Sequence, residues 1–231
     1  NVLAENNFLL ASSRKMRIAE NLDQEEAWNT GLNLSFYIPI AGKELTLNGE
    51  WYYTDFNKQV VVDVDSNPHE VSFYNLEGSS YSNSFQLEAT YPFFRGFTLT
   101  AAYRYTDAQT DYRNEAGLIY RMKKPLVSDY KGLLTASYQT PLKKWQFDVT
   151  SQFNGGGRMP LPDTTHPLWD SKFKDYTVVN AQVTRFFRRW SVYVGSENLF
   201  DVPQDAPIID GSNPRGDTFD GPMINGVVHG R

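Results

Sequence analysis

The chain has 231 residues, of which 40% are apolar and 21% are charged, with a formal net charge of −5. This length fits one β domain, because barrels and sandwiches commonly reach it without dividing. The acidic balance argues against a nucleic-acid partner, since no long basic cluster is present to neutralise phosphates. The absence of cysteine excludes disulfides and thiolate metal sites. Aromatic residues reach 15%, and this excess requires an explanation.

No stretch of the sequence is apolar for long enough to form a membrane-spanning helix, which needs about 20 residues. A chain of this kind crosses a membrane only as a β-barrel, because every backbone polar group in lipid must find a partner. The sequence starts at Asn1 with no charged n-region and no apolar h-region. We therefore expect it to be an internal piece of a larger protein.

Period-two alternation of apolar and polar residues runs through most of the chain and predicts antiparallel β-strands. In the first clear segment, Leu32, Leu34 and Phe36 alternate with polar neighbours. Several segments reach about ten residues, which is the length of a tilted membrane crossing. In chain order the alternation predicts a weak strand near 8–18 and then eight clear strands at 30–39, 44–56, 79–91, 96–106, 129–140, 144–154, 176–186 and 190–200.

The connections between these strands alternate between tight turns and long loops. The tight turns are predicted at 41–43, 92–96, 141–144 and 187–189, and the long loops at 57–78, 107–127, 155–174 and 201–231. Outer-membrane barrels have this up-and-down arrangement, with short periplasmic turns and long extracellular loops. Aromatic residues concentrate near both strand ends, and two belts at the membrane interfaces would account for their abundance. A soluble β-sandwich with an aromatic core also fits the alternation and stays open at this point.

The sequence offers no group of residues that fits catalysis. Asp63, Asp65 and Asn67 have the spacing of a calcium loop, but Pro68 and Tyr74 replace the required Gly and Glu. An acidic solvated loop is the favoured interpretation. No Gly-x-Ser-x-Gly elbow is present, and no histidine falls on a predicted strand. We predict no catalytic residue, no metal site, no cofactor and no enzyme activity.

The three histidines, His69, His166 and His229, stand in three different loops without metal-ligand spacing. Surface histidines are therefore the favoured interpretation. The less favoured alternative pairs Met159 with His166, and Met223 with His229, as soft copper sites in loops that meet in space.

Ionisable residues on the predicted polar face are costly against lipid and tolerated in a watery or plugged lumen. The residues predicted to line the lumen are Glu50, Glu88, Arg104, Lys131, Asp148 and Glu197. Polar residues near the loop ends of the strands are placed to touch a solute. The substrate-facing candidates are Arg104, Gln152 and Asn154 on strands and Trp169 in a loop.

Several segments resemble the TonB-dependent outer-membrane transporters. The run YTVVNAQVTRFFRRWSVYVGSENLFD at 176–201 is similar to the penultimate hairpin of that family, and its closing box is matched by Glu197, Asn198, Leu199, Phe200 and Asp201. The segments EEAWNTGLNLSFYI at 25–38 and NLEGSSYSNSFQLEATYPFF at 75–94 resemble other barrel strands of the family. The tail at 207–231 resembles the last loop of members from the Bacteroidetes, and it does not resemble the SusC branch.

The resemblance implies a 22-stranded barrel in the bacterial outer membrane, of which this chain supplies eight or nine strands. The plug and the final strand are expected to lie outside this sequence. The implied function is nutrient uptake: an extracellular small solute binds loops and plug, and TonB, energised through ExbB and ExbD, pulls on the plug. Outer-membrane lipid surrounds the barrel, and a surface lipoprotein is a further candidate partner.

Two rival interpretations stay open from the sequence. One is a self-contained eight-stranded barrel with a structural or adhesion role, because eight strands can close by themselves. The other is a soluble sandwich that binds glycans through loop aromatics such as Trp169. The solute is equally open among ferric siderophores, cobalamin, metal ions, peptides and glycans.

Overall fold

The computed structural model describes residues 15–67, 70–114, 116–160, 171–203, 208–209, 212–216 and 220–224. Among these residues, no helix is long and apolar enough to cross a membrane. The strands are β1 (Lys15–Ile18), β2 (Glu26–Ile40), β3 (Lys43–Lys58), β4 (Val60–Asp63), β5 (Glu70–Asn75), β6 (Ser80–Phe94), β7 (Phe97–Arg113), β8 (Ile119–Lys123), β9 (Tyr130–Gln139), β10 (Trp145–Asn154), β11 (Gly157–Arg158), β12 (Lys172–Phe173), β13 (Tyr176–Phe186), β14 (Ser191–Ser196), β15 (Ile208–Ile209) and β16 (Asp220–Ile224).

Eight long strands form one continuous antiparallel sheet, which we call the wall. Its order is β2-β3-β6-β7-β9-β10-β13-β14, so each long strand pairs with the next long strand along the chain. The short strand β8 pairs with the far end of β7. Within the described part of the chain, β2 and β14 are the edges of the wall, which is therefore an open sheet. The predicted all-β, antiparallel, up-and-down architecture is confirmed.

The two faces of the wall differ in polarity because the register keeps like residues in rows. On one face, Thr46, Thr90, Thr100, Thr135 and Thr150 are successive partners across five strands. The hydroxyls of Thr90 and Thr100 lie 3.0 Å apart, and those of Thr135 and Thr150 lie 3.1 Å apart. Such cross-strand pairs stabilise a sheet and pin its register, because a slip of one residue would exchange the faces.

The opposite face carries large apolar side chains that nothing in the described structure covers. Leu32 is 54% exposed, Phe85 46%, Val149 44% and Val194 74%. Soluble monomers rarely expose so extended an apolar surface. The buried apolar residues lie instead among the loops, so the wall has no core of its own on this face. A sandwich requires a second sheet over it, and the described residues provide none. The apolar face is therefore suited to lipid.

The short connections of the wall all lie at one end. The β6–β7 turn depends on Gly96, which has a φ of +85° and lies against the chain of the next hairpin. A Cβ at this position would lie 2.1 Å from the carbonyl oxygen of Gln139. The amide of Gln139 in turn donates to the carbonyl of Gly96 at 2.7 Å. Gly is thus required both by the turn and by the close approach of β9.

The segments between the other strand ends are folded rather than open. Strands β4 and β5 form an antiparallel pair within the segment predicted as the loop 57–78. Strand β7 continues to Arg113, beyond the predicted end at 106, and pairs there with β8. The physical reason is local: Val60 to Val62 form a β-branched run, and Val71 and Phe73 alternate with polar residues, although both pieces are short. The segments 155–174 and 201–231 likewise contain β11, β12, β15 and β16.

The weak strand predicted near 8–18 is described only at its C-terminal end, as β1. Only residues 15–18 of that prediction fall within the described residues, and they pair in parallel with β5 rather than joining the wall. Together β1, β5 and β4 form a three-stranded sheet with a small core of Val60, Val64, Val71 and Phe73. We call this sheet and its core the loop platform. It lies at the end of the wall opposite the short turns.

Candidate functional site

The polar face of the wall carries a row of charged and amide side chains near the loop platform. In register across five strands, the row consists of Glu50, Gln86, Arg104, Lys131 and Asn154. One end of the row is held by Asn33 on β2, whose amide donates to Glu50 at 2.8 Å. The pattern of alternation thus brings residues from strands distant in sequence onto one surface.

Two neighbouring clefts open on this surface. The first, of about 400 Å³, is lined by Arg104, Lys131 and Tyr176 together with hydroxyl side chains. The second, of about 360 Å³, contains Gln152 and Asn154 and shares Lys131 and Tyr176 with the first. Three of the four predicted substrate-facing residues therefore line adjoining clefts. The fourth, Trp169, lies outside the described residues.

Arg104 and Lys131 give the clefts their electrostatic character. They are direct partners across β7 and β9, so two cations lie side by side. Neither forms an ion pair with another described residue. Because like charges at this spacing repel, an incoming group with anionic or acceptor oxygens would relieve the repulsion. Glu197 lies in the second cleft and adds an acceptor there.

The Glu-Asn-Leu-Phe-Asp box has a structural role that sequence reasoning did not predict. Asn198 is buried, has a φ of +48°, and exchanges two side-chain hydrogen bonds with the backbone of Val202. Its own amide donates to the side chain of Asn180 at 2.9 Å. Asn tolerates the left-handed conformation better than most residues, which accounts for its use at this turn. Leu199 and Phe200 are exposed at the end of the wall.

Above the wall, a buried ion pair ties the loop platform to the segment after β10. Both guanidinium ends of Arg158 donate to Asp65 at 2.8 Å. The side chain of Arg158 is 14% exposed and that of Asp65 0%. Arg158 also donates to the carbonyl of Lys123, the last residue of β8, at 2.7 Å. One side chain thus joins three segments that are far apart in sequence, and no spacing in the sequence signals it.

Asp63 organises the turn that leads to Asp65. It accepts hydrogen bonds from the amides of Asp65 at 2.7 Å and Ser66 at 3.0 Å, and from the hydroxyls of Ser66 at 2.6 Å and Tyr74 at 3.2 Å. Burial raises the pKa of Tyr74. The favoured interpretation of this segment as a solvated acidic loop is therefore corrected, since both carboxylates are buried within a folded turn. No group of metal-binding side chains is found among the described residues.

A third cleft, of about 500 Å³, lies in the loop platform itself. Its lining is mixed in charge and includes Arg17, Asp63, Glu70, Tyr74 and Arg113. The Arg113 guanidinium lies 5.4 Å from the ring centre of Tyr74. The platform thus presents a polar surface at the outer end of the wall, distinct from the two clefts on the polar face.

The glycine run at 155–157 lets the chain pass close to its neighbours beneath the platform. A Cβ on Gly157 would lie 2.1 Å from the carbonyl oxygen of Val127. We therefore expect Gly157→Ala to destabilise the platform by about 1–3 kcal/mol, because the backbone must shift. The measurement is cleavage by an added protease at the surface of intact cells. Gly49→Ala is the control, since nothing lies within 4 Å of its Cβ. Equal protease resistance of both variants would contradict the expectation.

The Asp111–Arg121 pair predicts an acid-sensitive hairpin between β7 and β8. Arg121 donates to both carboxylate oxygens of Asp111, at 2.8 and 3.2 Å, and Ser79 donates its amide at 2.8 Å. The hydrogen bond from Arg121, with that from the Ser79 amide, lowers the pKa of Asp111. A lowered folded-state pKa means that the pair stabilises the hairpin above the unfolded value of about 3.9. That stabilisation is lost as the pH falls through the folded pKa.

Hydrogen exchange of the β8 amides, corrected for intrinsic rates, measures this effect between pH 7 and pH 3. We expect protection in the native protein to fall below pH 4. Asp111→Asn is expected to show weaker protection at pH 7 and a smaller change on acidification. If protection of the β8 amides depends on pH identically in the two proteins, Asp111 is not the cause of the acid sensitivity.

An open antiparallel wall with one apolar and one polar face, short turns at one end and folded segments at the other defines a portion of a membrane β-barrel. The family model described as TonB dependent receptor-like, beta-barrel matches residues 6–199. The chain belongs to this family, and it is a protein of the bacterial outer membrane. The predicted family and localisation are confirmed.

Solved structures of similar fold include three outer-membrane proteins. The copper transporter OprC shares 13% identity over 80% of this chain and 28% of its own, with a TM-score of 0.58. The ferric enterobactin receptor PfeA from Pseudomonas aeruginosa shares 16% identity over 79% of this chain and 27% of its own, with a TM-score of 0.56. The ferric-catecholate import receptor Fiu from E. coli shares 16% identity over 85% of this chain and 26% of its own, with a TM-score of 0.53.

The chain therefore spans between a quarter and a third of the length of the structures that it matches. At these identities the likeness establishes the fold and no shared ligand. A comparison with curated proteins finds no match. Family members are receptors and transporters rather than enzymes. Within the described residues the wall does not close on itself.

Proposed function

We propose that this chain forms part of the barrel wall and the extracellular surface of a TonB-dependent importer of a small nutrient. Membership of the receptor family supports import as the activity. The observation that carries the proposal for this chain is the pair of clefts around Arg104 and Lys131, on the polar face directly below the loop platform. On this proposal, a solute that passes from the extracellular surface into the lumen contacts these clefts on its way.

The chemistry of the clefts favours a nutrient that presents anionic or strongly accepting oxygens. Arg104 and Lys131 are neighbouring cations without an ion-pair partner in the described structure. With the side-chain amides of Gln152 and Asn154, they offer several hydrogen-bond donors to such oxygens. Ferric siderophores, phosphorylated metabolites and acidic peptides meet this requirement better than a bare cation does. We further propose that the full protein engages TonB, with ExbB and ExbD, through a plug outside this chain. We also propose that the full protein is a receptor of the Bacteroidetes type and not of the SusC branch.

Uptake by cells that lack the full-length receptor, with and without complementation, tests the proposal. A panel of radiolabelled ferric siderophore, cobalamin, metal ion, acidic peptide and glycan identifies the solute. We expect accumulation to require the receptor and to stop when the protonmotive force is collapsed or TonB is deleted. Receptor-dependent uptake that persists in both conditions would overturn TonB-dependent import.

The contribution of the clefts is tested by Arg104→Gln and Lys131→Gln in the same assay. Each change removes a charge-assisted hydrogen bond worth roughly 1.5–3 kcal/mol, so we expect the apparent affinity for the solute to fall about tenfold or more. Arg95→Gln is the matched control, because Arg95 is an exposed cation at the short-turn end of the wall. Cell-surface labelling confirms equal amounts of receptor. Unchanged affinity in both cleft variants would remove these clefts from the solute path.

A further inference from the structure

Two neighbouring short turns of the wall carry a concentration of positive charge. Lys143 and Lys144 lie in the β9–β10 turn, and Arg185, Arg188 and Arg189 lie at the β13–β14 turn. We call these five residues the basic rim. The stretches 140–145 and 185–190 contain no Asp or Glu. Within the described part of the chain, none of the five forms an ion pair. The rim therefore has charge that the described residues do not neutralise.

The two turns are held side by side by backbone and ring contacts. The amide of Phe186 donates to the carbonyl of Lys144 at 2.8 Å. The guanidinium of Arg185 lies 4.5 Å from the ring centre of Trp145, its partner across the strands. It also lies 5.5 Å from the ring of Phe187, which stacks on Trp190 at 3.9 Å. Arg185 thus lies over two aromatic rings, which hold its guanidinium near the end of β13.

Arg185 belongs to the apolar face of the wall, although it is charged. It alternates with Val183 on β13, and its partner on β14 is Val192. A cation on the lipid face is costly in the hydrocarbon and is tolerated where it reaches the interface. Leu142 is 75% exposed and Trp190 58%, so large apolar side chains are exposed in the same two turns as the cations. Rings and cations together are typical of a surface at the headgroup level of a bilayer.

We propose that the basic rim binds the phosphate of an anionic glycerophospholipid in the leaflet that contacts the short turns. Arg side chains present paired donors to phosphate oxygens, and Lys adds a mobile point charge. Trp145, Phe187, Trp190 and Leu142 contact the glycerol and upper acyl region. A soluble acidic partner explains the cations but leaves these exposed apolar side chains without a role. The inference requires the membrane position of the wall and is independent of which solute the receptor imports.

Copurification of lipid with the full-length receptor tests the proposal. The receptor is reconstituted in vesicles of equal parts phosphatidylglycerol and phosphatidylcholine, extracted in mild detergent, and its retained lipid is quantified by mass spectrometry. Because each cation near an anionic surface contributes about a fivefold preference, we expect phosphatidylglycerol to be enriched about fivefold or more. The enrichment should decline in high salt. Retention of the two lipids in equal amounts by the native receptor would overturn the proposal.

Charge variants separate the rim from the general charge of the protein. The rim variant carries K143Q, K144Q, R185Q, R188Q and R189Q, and the control variant carries K15Q, K58Q, K172Q and K174Q, which are exposed cations at the other end. We expect only the rim variant to lose the enrichment. K143R with K144R should retain it, which shows that charge and not side-chain identity matters. If the rim variant retains the enrichment and instead loses binding of the periplasmic domain of TonB, the rim is a protein contact and the proposal is wrong.

Discussion

Replacement of Arg158 by Met is expected to lower the free energy of unfolding of the loop platform by about 3–5 kcal/mol. The change leaves the Asp65 carboxylate, whose side chain is 0% exposed, without its bidentate partner. A buried charge without its counterion is among the most destabilising single changes in a protein. The variant also lacks the hydrogen bond from Arg158 to the carbonyl of Lys123, so the contact with β8 weakens as well.

Hydrogen exchange of the β4 and β5 amides in the full-length receptor measures this loss locally. Arg113→Gln is the control, because its pair with Glu77 is 41% and 53% exposed and is expected to contribute less than about 1 kcal/mol. Combining Arg158→Met with Asp65→Leu should restore part of the protection, since no buried charge then remains. Native-like protection in Arg158→Met would show that the pair does not hold the platform together. Solute binding at the cell surface is expected to fall together with the protection.

Arginine at Val149 is expected to destabilise the membrane-inserted wall by about 2–4 kcal/mol, because it puts a cation against lipid near the middle of β10. The same substitution at the adjacent Thr150 is expected to cost about 1 kcal/mol or less, since lumen-facing charges remain hydrated. Val149 lies among exposed apolar residues, and Thr150 lies in the threonine row of the polar face. The two sites differ by one residue and by the face on which they lie.

Unfolding of the receptor by urea in lipid vesicles, followed by loss of the heat-modifiable folded band on gels, provides the comparison. The prediction is that Val149→Arg is less stable than Thr150→Arg. A loss of stability common to both variants would therefore not fulfil it. Equal stability of Val149→Arg and Thr150→Arg would contradict the assignment of the faces. Greater damage from Thr150→Arg would reverse it.

The wall was predictable from sequence because each of its strands separates two different solvents. Leu34 and Phe36 face one way, and Asn33 and Ser35 the other, so the polarity of the residues alternates with a period of two. The platform strands carry a weaker signal. Strand β4 has only four residues, ends at Asp63 and is followed closely by Asp65, and both acidic residues are typical of a loop until their burial is known. Short strands among turn-forming residues cannot be separated from true loops by period alone.

The residues of the candidate site were likewise predictable from sequence only in part. Arg104, Gln152 and Asn154 could be assigned to the polar face because their position in an alternating strand fixes their direction. The bond between Arg158 and Asp65 could not be predicted, because 93 residues separate them and both lie outside the regular strands of the wall. Asn198 was recognised as part of a family box, but its burial and its bonds to Val202 depend on backbone geometry. Trp169 stays a prediction, since it lies outside the described residues.

Thiol accessibility along β10 tests most directly whether this sheet is a barrel wall between lipid and a watery lumen. The chain contains no cysteine, so labelling of single cysteines placed from Gln146 to Asn154 has no background from this chain. In intact outer membranes, a charged maleimide should label positions 146, 148, 150, 152 and 154, and a lipid-soluble maleimide should label 147, 149, 151 and 153. Labelling of the odd positions by the charged reagent, or labelling without alternation, would contradict the account.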